Sequence, residues 1–134
     1  MEKKLKHLEM IQNVISRMAN NSFLIRSWCI TIVAALFALA SKDSQLFFIY
    51  LAYFPAITFW ILDGFYLNQE KLFRGLYDEV RFKNENEIDF SMDTSKIKDS
   101  SWAGAMFSCT IMIFHGVIIG SILIVIFILM KSIN

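Results

Sequence analysis

Two long apolar stretches joined by a short polar turn dominate the pattern of hydrophobic and polar positions. The first covers residues 22–41, the second covers residues 46–63, and the polar segment SKDS joins them. Each stretch has roughly the 17–25 mostly apolar residues that a helix needs to cross the hydrocarbon core of a bilayer. A backbone in lipid has to satisfy its own hydrogen bonds, so both stretches are predicted to be helices. Because the turn is so short, we expect an antiparallel transmembrane hairpin.

A third apolar run covers residues 102–130, and His115 is its only ionisable residue apart from Cys109. As one helix it would be roughly 43 Å long, whereas the hydrocarbon core is only about 30 Å thick. Either the helix tilts strongly or its first turns lie in the interface. We favour the second arrangement, with residues 102–109 interfacial and residues 110–130 spanning, because a tryptophan at the start suits the interface.

Two further segments have the periodicity of amphipathic helices. Residues 2–21 and residues 64–82 each place apolar side chains on one face at helical spacing. The first helix could lie on anionic lipid or pack against another helix, and we expect it to pack against the second. The polar residues Asn20 to Ser22 predict a break before the first span. The side chains expected in this packing are Ile11, Ile15, Met18, Leu72, Phe73, Leu76 and Tyr77.

These elements predict an all-α membrane protein. Its order is an N-terminal amphipathic helix, a transmembrane hairpin, a second amphipathic helix, a polar loop over residues 83–101 and a third, C-terminal transmembrane helix. Lysine and arginine favour the cytoplasmic side of a membrane. They concentrate before the first span and between the second and third spans, whereas the hairpin turn has only Lys42 and the C-terminus only Lys131. We therefore expect a cytoplasmic N-terminus, a periplasmic C-terminus and two cytoplasmic helices that form a stalk.

Two opposite charges lie at the same end of the predicted hairpin. Arg26 is about one turn into the first span, and Asp63 ends the second. Ionisable residues within spans are usually paired or functional, because an isolated charge there is costly. One interpretation is an arginine that extends to the lipid headgroups. The other is an Arg26–Asp63 salt bridge that fixes the register of the hairpin.

The third span carries a set of small and polar residues at helical spacing. Gly116 and Gly120 form a small-xxx-small pair, which allows close approach of another helix. Ser108 and His115 are seven residues apart and share a face, so copies assembled around an axis could use them to line a pore. The alternative is that His115 forms a hydrogen bond between helices. In the second span, Pro55 is expected to bend the helix.

No pattern in the sequence indicates catalysis, a cofactor or a metal site. Cys29 and Cys109 have no metal-ligand spacing and are predicted to be buried free thiols. His7, near the N-terminus, is predicted to be solvated. The 134 residues are 56% hydrophobic with a mean hydropathy of +0.50, above the usual values for soluble proteins. The net charge of +1 gives no electrostatic reason to expect nucleic-acid binding.

Three strings carry a resemblance to a known family: VISRMANNSFLIRSWCITIVAALFALASKD, FWILDGFYLNQEKLFRGLYDEVR and IDFSMDT. Over residues 11–95 the chain resembles the RipA-type family of small octameric proteins of the bacterial inner membrane. More distantly it is similar to hairpin membrane effectors of antiphage systems and to an octameric pore associated with CRISPR. The resemblance implies a ring-shaped homo-oligomer with a role in stress or phage defence. The matched positions are Arg17, Asn20, Asn21, Ser22, Phe23, Trp28, Asp63, Tyr66, Glu70, Leu72, Phe73, Tyr77, Asp78, Phe90 and Asp93.

Two functional hypotheses follow. The first is a homo-oligomeric membrane protein whose assembly forms or gates a pore, with itself and membrane lipid as partners. The second is a non-conducting scaffold or accessory subunit that recruits a cytoplasmic protein through residues 64–101. An enzyme has no support in the sequence.

Overall fold

The computed structural model describes residues 1–43, 46–98 and 100–134. The elements in these ranges are α1 (Glu2–Asp43), α2 (Leu46–Leu51), α3 (Tyr53–Arg81), a 3-10 turn (Glu85–Glu87), α4 (Trp102–Met106) and α5 (Cys109–Ile133). Three helical segments in these ranges are long and apolar enough to cross a membrane: Glu2–Lys42, Leu46–Arg81 and Cys109–Ile133. The prediction of an all-helical membrane protein with three spans is confirmed. The predicted hairpin turn includes Ser44, which lies outside the described residues.

Helix α1 runs without interruption through the predicted break at Asn20 to Ser22, so that prediction was wrong. The helix has 42 residues and is therefore about 63 Å long, roughly twice the thickness of a hydrocarbon core. Asparagine and serine lower helix stability by only a few tenths of a kcal/mol each. The Ser22 hydroxyl also bonds to another helix instead of competing for its own backbone. The amphipathic segment and the first span are therefore two halves of one continuous helix.

The second span and the amphipathic segment after it are also continuous, since α3 passes through Asp63 and Gly64 and ends at Arg81. The interruption lies earlier, at Ala52 between α2 and α3. Pro55 explains it, because proline has no N–H and its ring clashes with the carbonyl group four residues before it. The Ala52 N–H donates a hydrogen bond to the Ile49 carbonyl oxygen, three residues before it, at 3.1 Å.

The antiparallel helices α1 and α3 pack around two hydrophobic clusters. The cluster between the apolar halves contains Cys29, Val33, Ala40, Ile49, Ala52, Ala56 and Ile122. The cluster in the amphipathic halves, which we call the stalk, is built on Ile11, Ile15, Leu76 and Val80. Phe73 and Tyr77 pack against the stalk cluster as predicted. Met18 and Leu72 are half-buried and lie outside it.

The polar segment after α3 folds back onto the stalk instead of extending from it. Ile88, Met92 and Ile97 pack against the stalk cluster. This fold-back buries His7, which is 0% exposed and donates from Nε2 to the Ser91 carbonyl oxygen at 2.8 Å. The prediction of a solvated His7 was wrong, because the periodicity of α1 does not show which loop covers it.

The last apolar run forms two helices. α4 ends at Met106, and α5 begins after Phe107 and Ser108. The Ser101 hydroxyl oxygen accepts a hydrogen bond from the Gly104 N–H at 3.1 Å and so caps α4. α5 has 25 residues and is about 37 Å long, enough to cross a hydrocarbon core of about 30 Å. α5 begins at Cys109, one residue before the predicted start of the span, and the interfacial placement of residues 102–109 stays a prediction. The exposed Cys109 at the start of α5 corrects the prediction that it is buried.

Candidate functional site: a buried polar cluster between three helices

A single buried carboxylate joins α1, α3 and α5. Asp63 is 0% exposed. Its Oδ1 accepts a hydrogen bond from the Ser22 hydroxyl at 2.7 Å. Its Oδ2 accepts one from Arg26 Nε at 2.8 Å and one from His115 Nε2 at 2.8 Å. We call these four residues the Asp63 cluster.

The helical repeat explains how these residues meet. Ser22 and Arg26 are four residues apart, so they lie one above the other on one face of α1. Buried Cys29 and Val33 continue that face towards the hairpin turn. On α5, His115 lies on the same side as the buried Ile111 and Ile122. The apolar side chains hold the helices together, and the same packing brings the polar atoms within bonding distance.

The predicted Arg26–Asp63 ion pair is present. Arg26 remains 27% exposed at its side chain, and its guanidinium also lies 5.6 Å from the centre of the Phe114 ring on α5. A cation above an aromatic face is attracted by the ring quadrupole. Arg26 therefore contacts both α3 and α5. The exposed part of its side chain could also reach the lipid headgroups, which was the other interpretation of this residue.

The position of His115 bears on both interpretations of that residue. It is 1% exposed, bonds to Asp63 and stacks on Trp60 at 6.3 Å between ring centres. It therefore faces the inside of the subunit, and a pore-lining role for His115 stays a prediction. The interpretation as a hydrogen bond between helices is confirmed.

The other candidates on the third span do not join the Asp63 cluster. Ser108 precedes the first turn of α5, and its hydroxyl is buried without a hydrogen-bond partner. A Cβ atom added to Gly116 or Gly120 would meet nothing within 4 Å. The two glycines therefore leave open surface on the subunit, as a helix-contact motif requires.

Contacts missed by the sequence analysis attach α4 to α3. Trp60 donates from its indole N–H to the Met106 carbonyl oxygen at 2.9 Å, and Trp102 donates to the Ile61 carbonyl oxygen at 3.2 Å. A Cβ atom on Gly64 would overlap the Met106 side chain, so the glycine permits this close approach. The one feature of the sequence that could have indicated these contacts is the indole N–H of tryptophan, which usually donates a hydrogen bond when it is buried.

The chemistry of this site is that of a compact, paired charge cluster. Among residues 1–43, 46–98 and 100–134, no group of three or more histidine, cysteine, aspartate or glutamate side chains is placed to hold a metal ion. The Asp63 carboxylate is balanced by Arg26, and its oxygens are occupied by three donors. Such an arrangement can fix the relative positions of the three helices.

Comparison with protein-family models, curated proteins and solved structures finds no match to this chain. The resemblance to the RipA-type family stays a prediction.

Proposed function

We propose that this protein is a homo-oligomeric protein of the bacterial inner membrane, a ring-shaped assembly that forms or gates a pore. Its N-terminus and stalk lie in the cytoplasm and its C-terminus in the periplasm. The distribution of lysine and arginine supports this orientation, and the three apolar helices support the membrane location.

The observation that carries the proposal is the character of the outward face of α1. Over residues 27–38, that face presents Ser27, Thr31, Ala34, Ala35 and Ala38 at helical spacing, all exposed or half-exposed. The start of this stretch and the turn before it carry the large exposed side chains of Phe23, Leu24 and Trp28. Ser27 and Thr31 donate their hydroxyls to carbonyl oxygens of α1 itself. Small residues and hydroxyls in spans are typical of contacts between helices, whereas lipid provides no reason for them.

The exposed faces of the other spans carry mostly large apolar side chains, unlike the small-residue stretch over residues 27–38 of α1. α2 and α3 present Phe47, Phe54 and Ile57, and α5 presents Ile113, Leu123 and Phe127. Large apolar side chains of this kind suit a lipid environment. The contrast supports an arrangement in which α1 faces other copies of the chain and the apolar half of α3 faces lipid, with Gly116 and Gly120 as a second contact.

Because the interior of one subunit is packed, an ion-conducting path would have to lie between copies of the chain and not within one subunit. The space between the three helices is filled by the hydrophobic cluster around Cys29 and by the Asp63 cluster. A small helical subunit of this design can enclose a conduit only in an assembly. A role in stress or phage defence through membrane permeability follows from the resemblance described above.

The proposal is tested by the substitution Ala35→Phe on the outward face of α1, with Ile57→Phe on α3 as the matched control. Both introduce an exposed phenylalanine. Native mass spectrometry gives the copy number, and ion flux into liposomes gives conduction. We expect the wild type and Ile57→Phe to be oligomeric and conducting, and Ala35→Phe to lose both properties.

The result also separates the proposal from its alternative. An oligomer that conducts nothing under any condition would favour the scaffold that recruits a cytoplasmic protein through residues 64–101. A single subunit in the mass spectrum of the wild type would contradict both the ring and the pore.

A further inference from the structure

A groove between α1 and α5 lies at the end of the spans that carries the hairpin turn. Its volume is about 310 Å³. The last two turns of α1 form one wall, and the last three turns of α5 form the other. The lining residues are Phe37, Ala40, Ser41, Val125, Ile128 and Leu129. All of these side chains except Ser41 are apolar, so the groove suits an apolar ligand.

The groove exists because small side chains on α1 lie opposite larger ones on α5. Ala40 is buried in the hydrophobic cluster, and Ser41 beside it is exposed. Ile128, on the opposite wall, is 57% exposed. A gap along a helix surface loses dispersion contacts until something fills it. At the surface of a span, the molecule available to fill it is the acyl chain of a lipid.

Two lysines lie at the end of the groove nearest the hairpin turn. Lys42 follows Ser41 directly, and Lys131 comes three residues after Ile128, on the same face of α5. Both are exposed and lie in the last turns of their helices. The apolar stem of a lysine lies along the span while its ammonium group reaches the headgroup layer. The two ammonium groups are therefore available at the mouth of an apolar groove.

The formal charge at this end of the spans is positive. The side chains of residues 41–46 and 130–134 include two lysines and one aspartate, which gives a net charge of +1. Lysines at the end of a helix also offset its dipole, and that role needs no ligand. The groove beside them adds a place for an acyl chain. Basic residues at a gap between transmembrane helices are typical of sites for anionic lipid headgroups.

We propose that this groove binds one anionic phospholipid. The part of an acyl chain nearest the glycerol lies between α1 and α5, and the phosphate contacts Lys42, Lys131 and the Ser41 hydroxyl. Residues 37–41 rise only about 6 Å along the helix axis, so the groove holds the upper part of one chain. Every residue of the site belongs to a single subunit, and the inference is therefore independent of the proposed ring and pore.

The lysines set the preference for an anionic headgroup, whereas the groove binds the chain of any phospholipid. A lysine near an anionic membrane surface strengthens the attraction by about fivefold in affinity. Phosphatidylglycerol and phosphatidylcholine with identical acyl chains differ in net charge but offer the groove the same apolar contacts. Their ratio on the protein therefore measures the contribution of the lysines.

The test offers both lipids at equal concentration to the delipidated protein in detergent, and native mass spectrometry counts the lipids retained per subunit. The double variant Lys42→Gln with Lys131→Gln removes the two cations at the groove. The control Lys71→Gln with Lys98→Gln removes the same charge from exposed positions in the stalk and in the polar segment.

A second pair of variants tests the groove itself. Ser41→Phe fills the groove from an exposed position, whereas Leu123→Phe places the same side chain at an exposed position of α5 outside it. The midpoint of thermal unfolding, measured with and without phosphatidylglycerol, reports the same binding without mass spectrometry.

We expect the wild type to retain phosphatidylglycerol in preference to phosphatidylcholine and to be stabilised by it. The variant without Lys42 and Lys131 should lose this preference by about twentyfold, and the control without Lys71 and Lys98 should keep it. Ser41→Phe should retain less of both lipids, unlike Leu123→Phe.

Three results would overturn the inference. The first is equal retention of the two lipids by the wild type. The second is a loss of preference that is the same in both lysine double variants, which would indicate only a general effect of charge. The third is a Ser41→Phe variant that keeps its lipid but forms fewer copies, which would show that a second copy of the chain occupies the groove. If a double variant does not fold, the single variants Lys42→Gln and Lys131→Gln serve in its place.

Discussion

Arg26 and Asp63 are 37 positions apart in the chain, yet Arg26 Nε lies 2.8 Å from Asp63 Oδ2 across the interface of α1 and α3. This contact exists because the hairpin brings the ends of its two apolar stretches to the same level. Ser22 and His115 complete the coordination of the carboxylate, so one acidic side chain fixes the relative positions of three helices. We regard the Asp63 cluster as the feature that gives the subunit a single shape. The assembly that we propose would depend on this shape.

Removal of this carboxylate is expected to weaken both the subunit and its assembly. In Asp63→Ala, Arg26 and His115 lose their acceptor in a buried site. The loss of one partner of a buried pair usually costs about 3–5 kcal/mol. Arg26→Ala is expected to act in the same direction. Native mass spectrometry and thermal unfolding check both variants, with Asp78→Ala as the control, because Asp78 is exposed and forms only a long surface pair with Arg81. Variants that keep the wild-type mass and midpoint would refute this role.

Gly64 is expected to tolerate no larger residue. In Gly64→Val, the new side chain would overlap Met106, whose backbone is close as well as its side chain, and overpacking of this kind usually costs about 1–3 kcal/mol. The double variant Gly64→Val with Met106→Ala should regain part of the stability. Chemical or thermal unfolding measures both. Equal stability of the wild type and the single variant would show that α4 does not pack on α3 as described.

Gly120 is expected to behave in the opposite way. Because the space around it is open within the subunit, Gly120→Leu should leave the unfolding midpoint of the subunit nearly unchanged. If this face contacts another copy, the larger residue should reduce the number of copies in the native mass spectrum. Val117→Leu, at an exposed neighbouring position, is the control. An unchanged copy number in Gly120→Leu would exclude the glycine face from the interface.

The first turn of α1 is expected to depend on pH through Glu85. The pKa of this carboxyl lies below its ordinary value because it accepts a hydrogen bond from the amino group of Met1 and further ones from the backbone N–H groups of Lys3 and Lys4. A depressed pKa stabilises the folded turn above the ordinary glutamate pKa of about 4.3, and this contribution is lost as the pH falls through the lower folded value. The amide chemical shifts of the two lysines should report that transition.

The substitution Glu85→Gln provides the comparison for this prediction. It should abolish the acid transition at Lys3 and Lys4, whereas Glu2→Gln, a change in the same turn of α1, should retain it. A transition that persists in Glu85→Gln would assign the pH dependence to another group.

The sequence predicted those features that depend on length and periodicity. The spans, the stalk packing of Ile11 and Leu76, and the Arg26–Asp63 pair all follow from apolar runs and an antiparallel hairpin. The parts that were missed depend on rotation about helix axes and on the path of the polar segment. His115 faces inward because the side of α5 that carries Ile111 packs against the hairpin. α5 is apolar on all sides, so its sequence periodicity does not predict which side is buried. His7 is buried because a loop more than 80 positions away covers it.

The most direct test of the central claim is the structure of the purified particle in detergent or lipid, determined by electron cryo-microscopy. The account predicts a closed ring of copies with an opening along the spans, the small-residue face of α1 directed at other copies, and the Asp63 cluster enclosed within each subunit. A lone subunit, or a ring whose centre is sealed by protein or filled with lipid, would contradict it.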